Sequence, residues 1–73
     1  MYTVHTKPGC SYCVKAIELL KHHNKPYKIK RYETPEEIAE FKVQGFKTFP
    51  QIYDDNGYLI GGYQALEWHL EDL

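Results

Sequence analysis

The chain has 73 residues, with nine basic against ten acidic side chains and a net charge of −1. That balance argues against a nucleic-acid partner, and no apolar run reaches the ~18–20 residues of a membrane helix. The length fits one domain, residues 1–73. Such a domain buries only about 60% of its unfolded surface and is viable without staples. Seven tyrosines, three phenylalanines and one tryptophan help its small core. Met1 to His5 lacks the basic and apolar regions of a signal peptide, so the expectation is a soluble, intracellular, cytoplasmic protein.

Tyr2 to Thr6 alternates and carries β-branched residues, which predicts a strand that Lys7-Pro8-Gly9 breaks. Ser11 to His23 reads as a helix, with Val14, Ala16, Ile17, Leu19 and Leu20 on a broad apolar arc. Asn24 is its stop, with Pro26 just beyond. Pro26 to Tyr32 is a second strand, in which Tyr27 and Ile29 alternate with Lys28 and Lys30. Lysines on one face suit an edge strand. The cluster Lys28, Lys30 and Arg31 is best explained as a solvated strand edge.

Thr34-Pro35-Glu36-Glu37 opens a second helix, with Thr34 as N-cap, Pro35 at the first helical position and Glu37 completing a capping box. Ile38 and Phe41 belong to its buried stripe, and Gly45 stops it. Pro50 to Tyr53 and Tyr58 to Ile60 are expected to pair through a type I′ turn at Asn56-Gly57. Gly61-Gly62 ends that hairpin. Tyr63 to Leu73 makes a last helix with Leu66, Leu70 and Leu73 on one side. The first strand–helix–strand unit predicts a right-handed parallel crossover. The whole reads as an α/β protein, a four-stranded mixed sheet flanked by three helices.

Cys10-Ser11-Tyr12-Cys13 lies at the first strand–helix junction. A thiol attacks as its thiolate, which a helix N-terminus stabilises. The second cysteine, one turn in, can attack a disulfide formed by the first, so the pair reads as a dithiol–disulfide redox centre. A structural disulfide would close only a four-residue loop, worth roughly 2 kcal/mol before strain. A closed zinc site wants about four ligands. His22 and His23 are adjacent, and His5 and His69 stand alone. No metal is expected.

This order of elements resembles the thioredoxin fold, and over essentially the whole chain it is similar to the glutaredoxin family. Lys7-Pro8-Gly9-Cys10-Ser11-Tyr12-Cys13 resembles the family's active-site segment, Thr48-Phe49-Pro50 its Thr-Val-Pro loop with a cis proline, and Gly61-Gly62-Tyr63 its glycine pair before the last helix. The resemblance implies a glutathione site. In it Lys7, with Gln44 or Lys47, pairs with the glycine carboxylate, and the Phe49 backbone binds the cysteinyl unit. Pro50 sets the loop of Thr48 beside Cys10, and Tyr12 packs beside the thiol. Gly62, Tyr63 and Gln64 receive the γ-glutamyl carboxylate through backbone N–H groups. Lys7 is otherwise a surface charge, the Phe49 side chain core filler, and Gly61-Gly62 a simple strand break.

Three departures bear on glutathione affinity. Ser11 stands where the family often has proline, Phe49 replaces valine, and Ala65 falls where many members carry an acidic residue. The chain also starts directly at the first strand and ends with the last helix, which is short for the family. The resemblance implies a monomeric dithiol enzyme with Cys10 and Cys13 catalytic and glutathione as co-substrate. Its couple would sit at about −200 to −230 mV. Implied partners are disulfide-containing proteins such as ribonucleotide reductase, and glutathionylated proteins. Two other readings remain: an electron donor reduced by thioredoxin reductase, and an iron–sulfur cluster carrier.

Overall fold

In the computed structural model, residues 1–71 are described. The elements run β1 (Tyr2–Thr6), α1 (Ser11–His22), β2 (Tyr27–Arg31), α2 (Pro35–Val43), β3 (Gln51–Tyr53), β4 (Leu59–Gly61) and α3 (Tyr63–Glu71). Leu73, assigned by the sequence to the apolar side of the last helix, lies outside the described residues. The sheet order is β2-β1-β3-β4. β1 and β2 pair in parallel, with Tyr2 opposite Tyr27 and Thr6 opposite Arg31. β3 runs antiparallel to both β1 and β4. This is the mixed four-stranded sheet with three helices that the sequence predicts.

Alternation along β1 assigns the two faces. Tyr2 and Val4 join Ile52 of β3, Ala16 and Leu20 of α1, and Leu66 and Leu70 of α3 in one apolar core. His5 points the other way. Its ring lies 6.0 Å from Phe41 of α2 and 5.1 Å from Tyr53. Helices α1 and α3 therefore share one face of the sheet, and α2 covers the other through an aromatic cluster. Burial lowers the His5 pKa, and Lys30 adds to this. A neutral imidazole suits that setting and the 2.8 Å hydrogen bond between Nδ1 and the Tyr32 hydroxyl.

Local chemistry fixes the helix ends. Asn24 takes the left-handed conformation (φ 57). Its N–H donates to Lys21 O and that of Lys25 to Leu20 O, the paired bonds of a Schellman stop. At α2 the Thr34 Oγ1 accepts from Glu37 N at 3.1 Å, and Glu37 Oε1 accepts from Thr34 N at 3.1 Å. Donation from the Thr34 N–H, and from the Glu33 N–H at 3.3 Å, holds the Glu37 carboxyl below its ordinary value.

The hairpin differs from expectation. A type I′ turn needs left-handed backbone at both central residues, but Asn56 does not adopt it and Gly57 (φ 86) does. Asp54 is the cause. Its Oδ1 accepts from both Asn56 N and Tyr58 N at 2.9 Å. This draws Asp55 into the turn, giving a three-residue loop closed by Asp54 N donating to Tyr58 O. β4 consequently starts and ends one residue later than predicted. β2 is an edge strand as expected, but Ile29 remains 42% exposed because it lies at the sheet margin, beyond the main core.

Removing the N-cap of α2 isolates its contribution. Thr34→Ala is expected to cost about 1 kcal/mol, lowering the thermal midpoint by roughly 4–8 °C in a domain of this size. Circular dichroism melting measures this, and an unchanged midpoint would show that the box adds no stability.

Candidate active site

The loop from β1 to α1 turns at Gly9, whose φ of 72 favours glycine. Cys10 then serves as N-cap of α1 with extended backbone, and its Sγ accepts the Cys13 N–H at 3.2 Å. Sulfur thus occupies the place usually taken by a Ser, Thr or Asp oxygen. Both thiols are free. Cys10 is partly exposed, whereas Cys13 is only 3% exposed. Burial pushes the Cys13 thiol up to about 12. Its hydrogen bond to Cys10 and the Cys10 charge act in the same sense, against the opposing backbone and charge of Lys7. One sulfur is therefore accessible at a helix N-terminus, and the other is kept protonated one turn below it.

Two grooves flank this turn. The first, of about 350 Å³, is lined by Lys7, Pro8, Cys10, Cys13 and neighbouring residues of α1, and by Arg31. The second, of about 550 Å³, gathers Tyr12, Thr48, Phe49, Pro50, Gly62, Tyr63 and Gln64. Seven predicted site residues thus come together there. Tyr12 and Tyr63 bridge α1 and α3 with ring centroids 5.8 Å apart, and Lys15 Nζ lies 4.9 Å from the Tyr12 centroid. The Phe49–Pro50 peptide is cis. Gln51 Nε2 holds the loop by donating to Thr48 O at 3.1 Å and to Thr48 Oγ1 at 3.3 Å.

Lys7 belongs to the first groove, but its Nζ lies 5.7 Å from the Phe49 ring centroid, linking it to the second. Lys47 and Gln44 are exposed and line neither groove. Sequence reasoning missed Trp68 and Val14. Trp68 lines the second groove while 59% exposed, signalled only by its position off the Leu66–Leu70 stripe. Val14, predicted to pack in the apolar arc of α1, is instead 57% exposed and lines the first groove. It falls beyond the buried stripe of Cys13, Ala16 and Leu20. Among the described residues, no three His, Cys, Asp or Glu side chains are grouped to hold a metal ion. No described helix is long and apolar enough to cross a membrane.

A four-stranded mixed sheet carrying two cysteines at the first helix N-terminus, together with a cis-proline loop, defines a dithiol protein of thioredoxin-like fold. The Glutaredoxin family model matches residues 2–59, and the chain belongs to the glutaredoxin family. It is 41% identical over 68 residues to Glutaredoxin 1 of Rickettsia conorii, covering 86% of this chain and 65% of that one. The chain thus spans just under two thirds of that relative's length. Glutaredoxin 1 from Francisella tularensis shares the fold with a TM-score of 0.87 and 22% identity, covering 97% of this chain and 92% of that one. A buckwheat glutaredoxin–glutathione complex shares it with a TM-score of 0.79 and 21% identity, covering 97% and 68%.

The unequal environments of the two sulfurs predict selective alkylation. Burial pushes the Cys13 thiol well above the ordinary thiol range, so it stays protonated at pH 7, and burial further restricts access. Iodoacetamide should modify Cys10 of the native reduced protein, spare Cys13, and label both after denaturation. Peptide mass spectrometry reads the result. Cys13 labelling should rise as pH approaches 12, and equal labelling at pH 7 would contradict the assignment.

Proposed function

We propose that this chain is a glutathione-dependent thiol–disulfide oxidoreductase, a dithiol glutaredoxin domain over residues 1–73. The observation that carries the reading is the Cys10 sulfur at the N-terminus of α1, receiving an N–H above the buried Cys13 thiol. In the first step Cys10 thiolate attacks one sulfur of a substrate disulfide. A Cys10–substrate disulfide forms, and the other substrate sulfur leaves as thiolate and takes a proton from water. Cys13 then gives up its proton and attacks Cys10, releasing the second substrate thiolate and leaving a Cys10–Cys13 disulfide. One glutathione thiolate attacks Cys10, and a second attacks the resulting mixed disulfide. The products are oxidised glutathione and the reduced dithiol, so two electrons pass from two glutathiones to the substrate.

Glutathione fits the second groove in this reading. Phe49 offers its backbone to the cysteinyl unit, with Thr48 and Pro50 shaping the loop and Tyr12 beside the sulfur. Gly62, Tyr63 and Gln64 supply the N–H groups that helix α3 leaves unpaired at its start. Lys7, with Lys47 or Gln44 at longer reach, takes the glycine carboxylate. Glutathione in the related buckwheat complex supports this choice of co-substrate. Proposed substrates are glutathionylated proteins and protein disulfides, with ribonucleotide reductase among them, acted on by a cytoplasmic monomer.

The two cysteines should separate in one assay pair. Cys10→Ser should abolish all thiol transfer. Cys13→Ser should keep turnover of a small glutathione mixed disulfide but lose most reduction of a protein disulfide, because internal attack by Cys13 is far faster than attack by an external thiol. Full protein-disulfide reduction by Cys13→Ser would refute the dithiol route.

Lys7→Glu should lower catalytic efficiency with glutathione several-fold to tenfold while leaving the fold intact. A partly exposed pair is worth about 1 kcal/mol, and the reversal adds repulsion. Unchanged glutathione kinetics in the stable variant would point to another reductant, such as thioredoxin reductase.

A further inference from the structure

Arg31 ends β2 opposite Thr6, the last residue of β1. It therefore stands at the end of the sheet from which the chain enters the Cys10 loop, and it lines the groove that both cysteines share. Two cations, Lys7 and Arg31, line that groove, and no carboxylate does. Pro8, Val14 and Ile17 make its apolar part. Arg31 approaches Glu33 only at 3.8 Å, Nε to Oε1, with both side chains more than half exposed. Such a pair is weak and readily exchanged for another carboxylate. Apart from Lys7, and from Lys47 and Gln44, which line neither groove, the residues assigned to glutathione line the second groove.

We propose that the groove between α1 and the end of β2 seats the polypeptide of a protein disulfide substrate. Arg31 is its specificity-determining residue, favouring an acidic side chain next to the reacting cysteine. The inference rests on the oxidoreductase reading and adds a substrate class to it. Charge complementarity selects the occupant: a carboxylate within a Debye length of Arg31 and Lys7 is attracted and a lysine is repelled, while apolar neighbours meet Val14 and Ile17. Arg31 acts before the chemistry, by raising the population of substrate held with its disulfide against Cys10.

Three peptides with one internal disulfide, differing only in Glu, Gln or Lys beside the reacting cysteine, provide the test. The reading is the ratio of kcat/KM for the Glu peptide to that for the Lys peptide. The wild type should favour Glu by about fivefold at low salt. That preference should collapse near 1 M salt, where the Debye length is about 3 Å. Arg31→Lys should keep the ratio, Arg31→Gln shrink it, and Arg31→Glu invert it. Lys7 is common to all variants, so the change between variants carries the result. A ratio unmoved by Arg31→Gln and Arg31→Glu, or an equal loss on all three peptides, overturns the proposal. A small glutathione mixed disulfide serves as control. If the wild type turns over neither it nor any peptide, the oxidoreductase reading fails and takes this proposal with it. Turnover without a charge preference overturns the proposal alone.

Discussion

A single hydrogen bond, from the Cys13 N–H to the Cys10 sulfur, joins the start of α1 to the proposed nucleophile. The cap that satisfies the helix is the same atom that would do the chemistry. The helix cannot shift relative to the sheet without moving Cys13 under Cys10. That orientation is held from below, where Ala16 and Leu20 are fully buried against Val4, Ile52 and Leu66. The apolar core thereby sets the depth of the second thiol, and depth is the main reason why that thiol stays protonated.

The opposite face of the sheet has a different task. It carries the aromatic set of His5, Tyr32, Phe41 and Tyr53, which ties α2 to β1 and β3. The loop after α2 returns across the molecule and delivers Thr48, Phe49 and Pro50 to the second groove. Gln51 secures that return by closing its amide onto Thr48. One face thus positions the sulfurs, and the other positions the surface beside them.

Features governed by local chemistry were readable from the chain. The cap at Thr34, the stop at Asn24 and the dithiol at the head of α1 each depend on a few consecutive residues, and all occupy their expected places. The family resemblance extended that reading to Thr48-Phe49-Pro50 and Gly61-Gly62-Tyr63. The misses are competitive or non-local. At the hairpin, Asn56-Gly57 signalled one turn, but the Asp54 carboxylate offered the backbone a better one. Arg31 is the exposed edge residue the sequence predicts, but its place on the cysteine groove depends on parallel pairing with Thr6, which the sequence does not show. Val14 read as core because helical periodicity gives an arc but not where the sheet beneath it ends.

Phe49 shows how a departure from the family pattern is absorbed. Bulk in place of valine would crowd the docking strand if the ring turned toward the groove. Instead it stacks on Phe41 at 4.1 Å and 18°, with Phe46 on Phe41 at 4.8 Å and Tyr32 at 5.6 Å from Phe49. The larger side chain thereby packs the loop onto α2 through Phe41. The backbone groups proposed to meet the peptide part of glutathione do not depend on the side chain. The loop thus gains a mechanical link to a helix that begins at the Thr34 capping box. On this account the stability of α2 and the placement of the proline loop are coupled through Phe41, which is 1% exposed.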